Sequence, residues 1–123
     1  MYTSTGTLQY FKTWAVLMVD PDLGRYYRSF IPKHISWQVP MYPMHVTAVR
    51  EAKETPKNLQ FWRKYDGERI EFTYDPDIHI ESVYIWLRVY CDRLSEIRRE
   101  LGLPQFFDRF REFHITIANR KGL

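Results

Sequence analysis

The sequence predicts one domain, residues 1-123, of the α+β class, with antiparallel-rich sheets and helices on their outer faces. Three observations support this class. Several apolar or alternating runs have strand length, and two segments space their apolar residues as helices do. The order strand, helix, strand also occurs twice, which indicates an internal repeat.

The first of the two units begins at the apolar run of residues 14–19, which predicts a buried strand before a turn. Asp22 is expected to cap a helix that ends before Pro32. Residues 44–51 alternate between apolar and polar side chains and predict the closing strand. Residues 1–9 are polar and are assigned no element.

The second unit follows two predicted strands, residues 69–74 and 78–89. Asp92 is expected to cap a helix that stops at Gly102, and residues 113–119 predict the last strand. The apolar residues of this helix fall on one face. The residues expected to face water are Arg93, Glu96, Arg98, Arg99 and Glu100.

Composition narrows the function classes. The net charge of +3 suits an anionic ligand but is too small for a surface that coats long nucleic acid. One cysteine, Cys91, excludes an internal disulfide and favours a reducing compartment. We therefore expect a cytoplasmic protein with no signal peptide and no membrane partner, and leave its oligomeric state open.

Two His-x-Thr motifs close the two units. Side chains alternate along a strand, so His45 and Thr47 point to one face while their apolar neighbours point to the other. The same holds for His114 and Thr116. Two imidazoles can act as acid and base near neutral pH, and two hydroxyls can bind phosphate oxygens. This set predicts phosphoryl chemistry with no metal and no cofactor.

These motifs, 69 residues apart, resemble the 2H phosphoesterase superfamily. The resemblance implies a bilobal fold with a pseudo-twofold cleft between the lobes. It implies that His45 and His114 are catalytic and that Thr47 and Thr116 bind phosphate. Within this superfamily, the chain is most similar to the phage anti-CBASS enzymes, which cleave the cyclic oligonucleotide signals of bacterial defence. This similarity lies in its short length and in residues 12–20 and 90–102. That branch implies a metal-independent phosphodiesterase acting in the host cytoplasm.

Other functions stay open. The same motifs occur in phosphodiesterases that act on RNA 2′,3′-cyclic ends or 2′-5′ linkages. A non-catalytic module that sequesters a nucleotide would need the same cleft. An RNA-binding adaptor is disfavoured because the net charge is low. No pair among the His and Cys residues has the close spacing of structural zinc ligands, so a zinc site is not expected.

Substrate contacts are predicted at four further residues. Tyr10 and Tyr42 are candidates for stacking on a base. Tyr10 precedes the first predicted strand, and Tyr42 lies just before the first His-x-Thr motif. Arg50 and Arg120 could attract a polyanion, although ordinary solvated charges explain them equally well. The remaining candidates, which receive a structural role or none, are His34, His79, Trp86 and Cys91.

Overall fold

In the computed structural model, residues 1–107 and 113–121 are described, and they contain eight strands and two short α-helices. The strands are β1 (Tyr2–Tyr10), β2 (Ala15–Val19), β3 (Trp37–Gln38), β4 (His45–Val49), β5 (Arg69–Tyr74), β6 (His79–Ile80), β7 (Tyr84–Tyr90) and β8 (Phe113–Arg120). The helices are α1 (Pro21–Arg28) and α2 (Asp92–Glu100), and Leu59–Phe61 forms one 3-10 turn.

Six strands close into one antiparallel barrel. Their order is β8-β4-β2-β1-β5-β7, and β7 pairs back onto β8 to complete the ring. The two-residue strands β3 and β6 extend the sheet beside β8 and β7. The expectation of a bilobal α+β fold is therefore wrong: the described residues are mostly β and form a single closed sheet rather than two lobes.

Strand β1 is the physical reason for the difference. It pairs with β2 on one side and with β5 on the other, so it joins the two units into one sheet. Its Gly6, Leu8 and Tyr10 point inward and are buried, while Thr5 and Gln9 face solvent. Few of its inward positions carry large apolar side chains, and its outward side chains are polar. The segment therefore has no apolar run that marks it as a strand.

The barrel interior takes alternate side chains from each strand. Val46 and Ala48 of β4 and Ile115 and Ile117 of β8 are at most 1% exposed. The residues between them therefore project from the outer face of the barrel. Both His-x-Thr motifs lie on this outer face, as the alternation predicts.

The two units repeat each other in strand register. Val16 of β2 lies opposite Thr47 of β4, and Trp86 of β7 lies opposite Thr116 of β8. The paired positions are related by offsets of 70 and 69 residues. Each pairing has a register irregularity at the same place, just before Val16 and just before Trp86. The repeat thus builds equivalent halves of one barrel.

The predicted cap of helix α1, Asp22, is wrong, because the helix is capped two residues earlier, at Asp20. The cap is Asp20, whose side chain accepts a hydrogen bond from the Asp22 backbone N–H at 2.9 Å, and Pro21 is the first helical residue. Asp22 instead lies in the first turn, where its charge suits the positive end of the helix.

Helix α2 begins after Cys91, and Asp92 is its first residue rather than its cap. It ends before Gly102, whose φ of +80° is the left-handed conformation that glycine adopts without strain. A second prediction for this helix is also wrong: Arg98 does not face water but is 0% exposed. Its partners explain the burial and are described below.

Candidate active site

The two motifs meet across the β4–β8 pairing. Val46 lies opposite Ile115, which is its own equivalent in the repeat. Continuing this antiparallel register places His45 opposite Thr116 and Thr47 opposite His114. Directly opposed Cβ atoms are about 4.5–5.5 Å apart and diagonal ones about 7–8 Å. The four side chains therefore form a square patch with the imidazoles at opposite corners.

A cleft of about 750 Å³ opens beside this patch, on the side of β7. Thr47, His114 and Thr116 line it, whereas His45 is not among its lining residues. The other residues that line the cleft are Arg50, Lys53, His79, Glu81, Tyr84, Trp86, Arg88, Phe107 and Phe113. Among the described residues that line it, the cleft is mostly cationic and aromatic, and Glu81 is the one carboxylate.

His45 is held by the turn that precedes β4. Its Nδ1 lies 2.7 Å from the Pro43 carbonyl oxygen. A carbonyl only accepts, so Nδ1 carries the hydrogen and donates it. Trp14 contacts the ring edge-on, with ring centroids 6.4 Å apart. The reactive nitrogen of His45 is therefore Nε2, which either carries a lone pair or donates a proton according to the charge of the ring.

His114 has the same kind of aromatic neighbour. Trp86 meets it edge-on, with centroids 6.0 Å apart and planes at 70°. The side chain stays exposed to solvent in the cleft. The pKa of His114 is lowered from 6.5, first because the surrounding protein desolvates its charged form and second because His45 would repel it. Near neutral pH this imidazole is mainly neutral.

One wall of the cleft is basic. The Arg50 guanidinium lies 4.8 Å above the Phe107 ring and donates to the Phe107 carbonyl oxygen at 3.4 Å. The Arg50 backbone N–H donates to Glu54 at 2.9 Å, and the two side chains form an ion pair at 3.5 Å. Lys53 also lines the cleft, and Arg88 lines it from β7, with its guanidinium 5.8 Å from the centre of the Trp86 ring. Arg50 thus lines the cleft, and its contact with a ligand stays a prediction.

The opposite wall is aromatic, and the sequence did not single it out. His79 stacks on Trp86 with centroids 4.3 Å apart and planes at 19°. Tyr84, next on the outer face of β7, is 53% exposed. The alternation of β7 could have placed Tyr84 and Trp86 outward, but only the pairing of β7 with β8 puts them beside a motif.

The three other predicted substrate contacts lie outside the residues that line the cleft. Tyr10 is 4% exposed and packs edge-on against Trp62 at 4.9 Å, so it is a core residue and offers no platform for a base. Tyr42 is 64% exposed in the turn before β4. Arg120 donates to the Glu81 carbonyl oxygen at 3.2 Å and so supports a residue of the cleft without lining it.

Among residues 1–107 and 113–121, no three His, Cys, Asp or Glu side chains are grouped so as to hold a metal ion. In the same ranges, no helix is long and apolar enough to cross a membrane. Comparison of the chain with protein-family models, with curated proteins and with solved structures found no match.

Proposed function

We propose that this protein is a metal-independent phosphodiesterase that cleaves a phosphodiester bond in a nucleotide ligand. The observation that carries the proposal is the diagonal patch of two His and two Thr across β4 and β8. A phosphate seated between the hydroxyls would have one imidazole on each side. This is the arrangement that in-line attack needs, with a base near the entering oxygen and an acid near the leaving one.

The unequal surroundings of the two imidazoles suggest their roles. His114 is the base, because its lowered pKa keeps it neutral near pH 7. His45 is the acid: with Nδ1–H bound to Pro43, its protonated form presents Nε2–H to the leaving oxygen. Thr47 and Thr116 donate hydrogen bonds to the non-bridging phosphate oxygens, whose charge grows as the reaction proceeds.

The first step is a transesterification. The ribose 2′-hydroxyl forms a bond to phosphorus while the bond from phosphorus to the 5′ oxygen breaks. The hydroxyl proton passes to His114, and the 5′ oxygen takes the proton of His45. The products are a 2′,3′-cyclic phosphate and a free 5′-hydroxyl. Water can then open the cyclic phosphate with the roles of the imidazoles reversed, which restores both.

Within nucleotide ligands we propose cyclic oligonucleotides as the substrate class, as the motif resemblance to anti-CBASS enzymes suggests. The cleft supports a ligand larger than one phosphate, since it has about 750 Å³ with an aromatic and a basic wall. Rings such as Trp86 and Tyr84 offer faces for bases, and Arg50 and Lys53 can face further phosphates.

The test is an assay with EDTA present, on cyclic dinucleotides, cyclic trinucleotides, 2′-5′ oligoadenylate and RNA with a 2′,3′-cyclic end. Products are identified by chromatography and mass. We expect cleavage of cyclic oligonucleotides despite the chelator. Cleavage of the RNA end alone would assign the protein to RNA processing instead. A ligand that is bound and recovered whole would make it a nucleotide-binding module and would refute the enzyme proposal.

Variants then test the assigned residues. His45→Ala and His114→Ala should each lower kcat by about 10²–10⁴-fold, the usual contribution of a positioned acid or base. Thr47→Val and Thr116→Val should lower it by about 10²-fold, because each removes one donor to the phosphate. His34→Ala is the matched control, since His34 is exposed and lies outside the cleft lining. Full activity in folded His45→Ala and His114→Ala would contradict the mechanism.

A further inference from the structure

Each His-x-Thr motif is followed at once by a β-bulge. In the β2–β4 pairing, Ala15 lies opposite Val49 and Val16 opposite Thr47, so Ala48 is an extra residue of β4. In the β7–β8 pairing, Ile117 is the extra residue in the same way. A bulge changes the direction of a strand and re-aims the side chains beside it. Both bulges therefore influence how the preceding Thr and His are presented.

The carbonyl of each bulge residue is bound by an arginine from a helix. Arg98 of α2 donates through Nη1 to the Ala48 oxygen at 2.8 Å. Arg28 of α1 donates through Nη1 to the Ile117 oxygen at 2.9 Å. Ala48 and Ile117 are at most 1% exposed, so water cannot easily replace these donors. A buried carbonyl that has left the strand ladder needs such a partner.

The two arginines are equivalent and cross over between the units. Arg28 and Arg98 are 70 residues apart, which is the offset of the strands that precede their helices. Helix α1 belongs to the unit of β4, yet Arg28 binds β8; α2 belongs to the unit of β8, yet Arg98 binds β4. Each helix thus holds the bulge of the other unit, and together they fix the two motifs relative to each other.

We propose that Arg28 and Arg98 are positioning residues for the candidate active site: they hold the two bulges and so set the direction in which the His-x-Thr motifs face a phosphate. This inference rests on the proposed function for its catalytic readout, but not for its structural one. Neither arginine lines the cleft, so each acts through the backbone of β4 or β8 and not on the ligand.

Arg28 is the better residue to test. Arg98 is fully buried and paired with Glu54, so its loss would affect folding strongly. Arg28 is half-buried, with its guanidinium 6.0 Å from the centre of the Trp37 ring. Gly24 makes room for Met44 and also for Arg28, because a Cβ there would lie 2.0 Å from Met44 Cε and 3.1 Å from Arg28 Nη1. The site is thus shaped around this side chain without depending on a buried ion pair.

The experiment compares Arg28→Met, which keeps the length but removes the donors, with Arg28→Lys, which keeps a charged donor. Arg25→Met is the control, because Arg25 lies in the same helix, has a side chain that is 73% exposed and, among the described residues, pairs with Asp22 alone. The readouts are kcat and KM, and an NMR titration of the His114 imidazole with and without inorganic phosphate. All are taken at temperatures where thermal melts show each variant to be folded.

We expect Arg28→Met to lower kcat by about tenfold to a hundredfold with a smaller change in KM, as a misplacement of about 1 Å can do. The midpoint of the His114 titration and its response to phosphate should also shift. Arg28→Lys should recover part of both, and Arg25→Met should match the wild type. A merely structural arginine would lower the melting temperature and leave kcat and the titration unchanged, which would overturn the proposal.

Failure of the proposed function would be recognised separately. If the wild type cleaves none of the substrates, that function fails, and the NMR readout decides the positioning role alone. An unchanged titration and phosphate response in folded Arg28→Met would then overturn it. If Arg28→Met does not fold, Arg28→Gln, which keeps a neutral donor but shortens the side chain, is judged by the same criteria.

Discussion

Replacing Arg98 by Met should be among the most destabilising single changes in this barrel. The Arg98 side chain is 0% exposed, and its guanidinium has several hydrogen-bond partners. Its Nε donates to the Pro104 oxygen at 2.9 Å, and Nη1 donates to the Ala48 oxygen at 2.8 Å and to Glu54 at 2.9 Å. The guanidinium also lies 4.4 Å from the Phe107 ring centre.

The magnitude follows from what the substitution leaves behind. Methionine fills much of the space but takes its closest charged partner from the Glu54 carboxylate, whose side chain is 6% exposed, and leaves it only Arg50 among the described residues. It also takes a donor from the carbonyl oxygens of Ala48 and Pro104. Removing one partner of a buried ion pair typically costs about 3–5 kcal/mol, because the remaining charge loses most of its compensation. For a domain of this size the melting temperature should fall by roughly 10–20 °C.

Urea denaturation and thermal melts of Arg98→Met measure this change. Arg99→Met is the control, since Arg99 is the next residue of α2 and is exposed; its free energy of unfolding should change by less than about 0.5 kcal/mol. Adding Glu54→Leu to Arg98→Met should restore part of the loss, because it removes the buried carboxylate that has lost Arg98. A loss below about 1 kcal/mol in Arg98→Met would refute the reasoning.

The same ion pair predicts a pH dependence. Burial by itself raises the pKa of Glu54, but hydrogen bonds and charge from Arg98 and Arg50 outweigh it and hold the pKa below 4.5. A carboxyl whose pKa is lower in the folded state stabilises the fold above its unfolded pKa. This stabilisation is lost as the pH falls from about 4.5 through the folded pKa. In Arg98→Met, acid should therefore destabilise the protein less than in the wild type.

Three further outcomes are expected. In pH–rate profiles, the acidic limb of kcat/KM should lie below pH 6.5 because His114 must be neutral to act as base; a limb well above 6.5 would contradict that role. Gly24→Ala should destabilise the protein by about 1–3 kcal/mol in thermal melts, although alanine favours helices. The reason is that the new Cβ would lie 2.0 Å from Met44 Cε and 3.1 Å from Arg28 Nη1. An unchanged or higher melting temperature would show that Met44 moves aside without cost. Cys91 is 6% exposed and burial raises its pKa, so it should react with a thiol reagent only after unfolding; rapid labelling of the native protein would contradict its burial.

Local patterns were enough to identify the candidate catalytic residues. Alternation along β4 and β8 predicted that His45 and Thr47 share a face, and likewise His114 and Thr116, because side-chain direction in a strand depends only on its period of two. The order of elements likewise indicated the repeat. The sequence by itself thus determined which side chains are available for chemistry.

Only the tertiary structure decided what surrounds them. Strand β1 forms a local hairpin with β2, but it joins the two units into a barrel through β5, which lies far away in the sequence, and the polar outward face of β1 concealed this. The pairing of β1 puts Tyr10 in the core. The pairing of β7 with β8 brings Trp86 beside His114, and the pairing of β6 with β7 stacks His79 on Trp86. Arg98 looked like a solvated helix residue until its partners, Glu54 and the Ala48 carbonyl, came together by folding. A strand's own residues set which face each side chain takes, whereas its neighbours are set by long-range register, which no local pattern encodes.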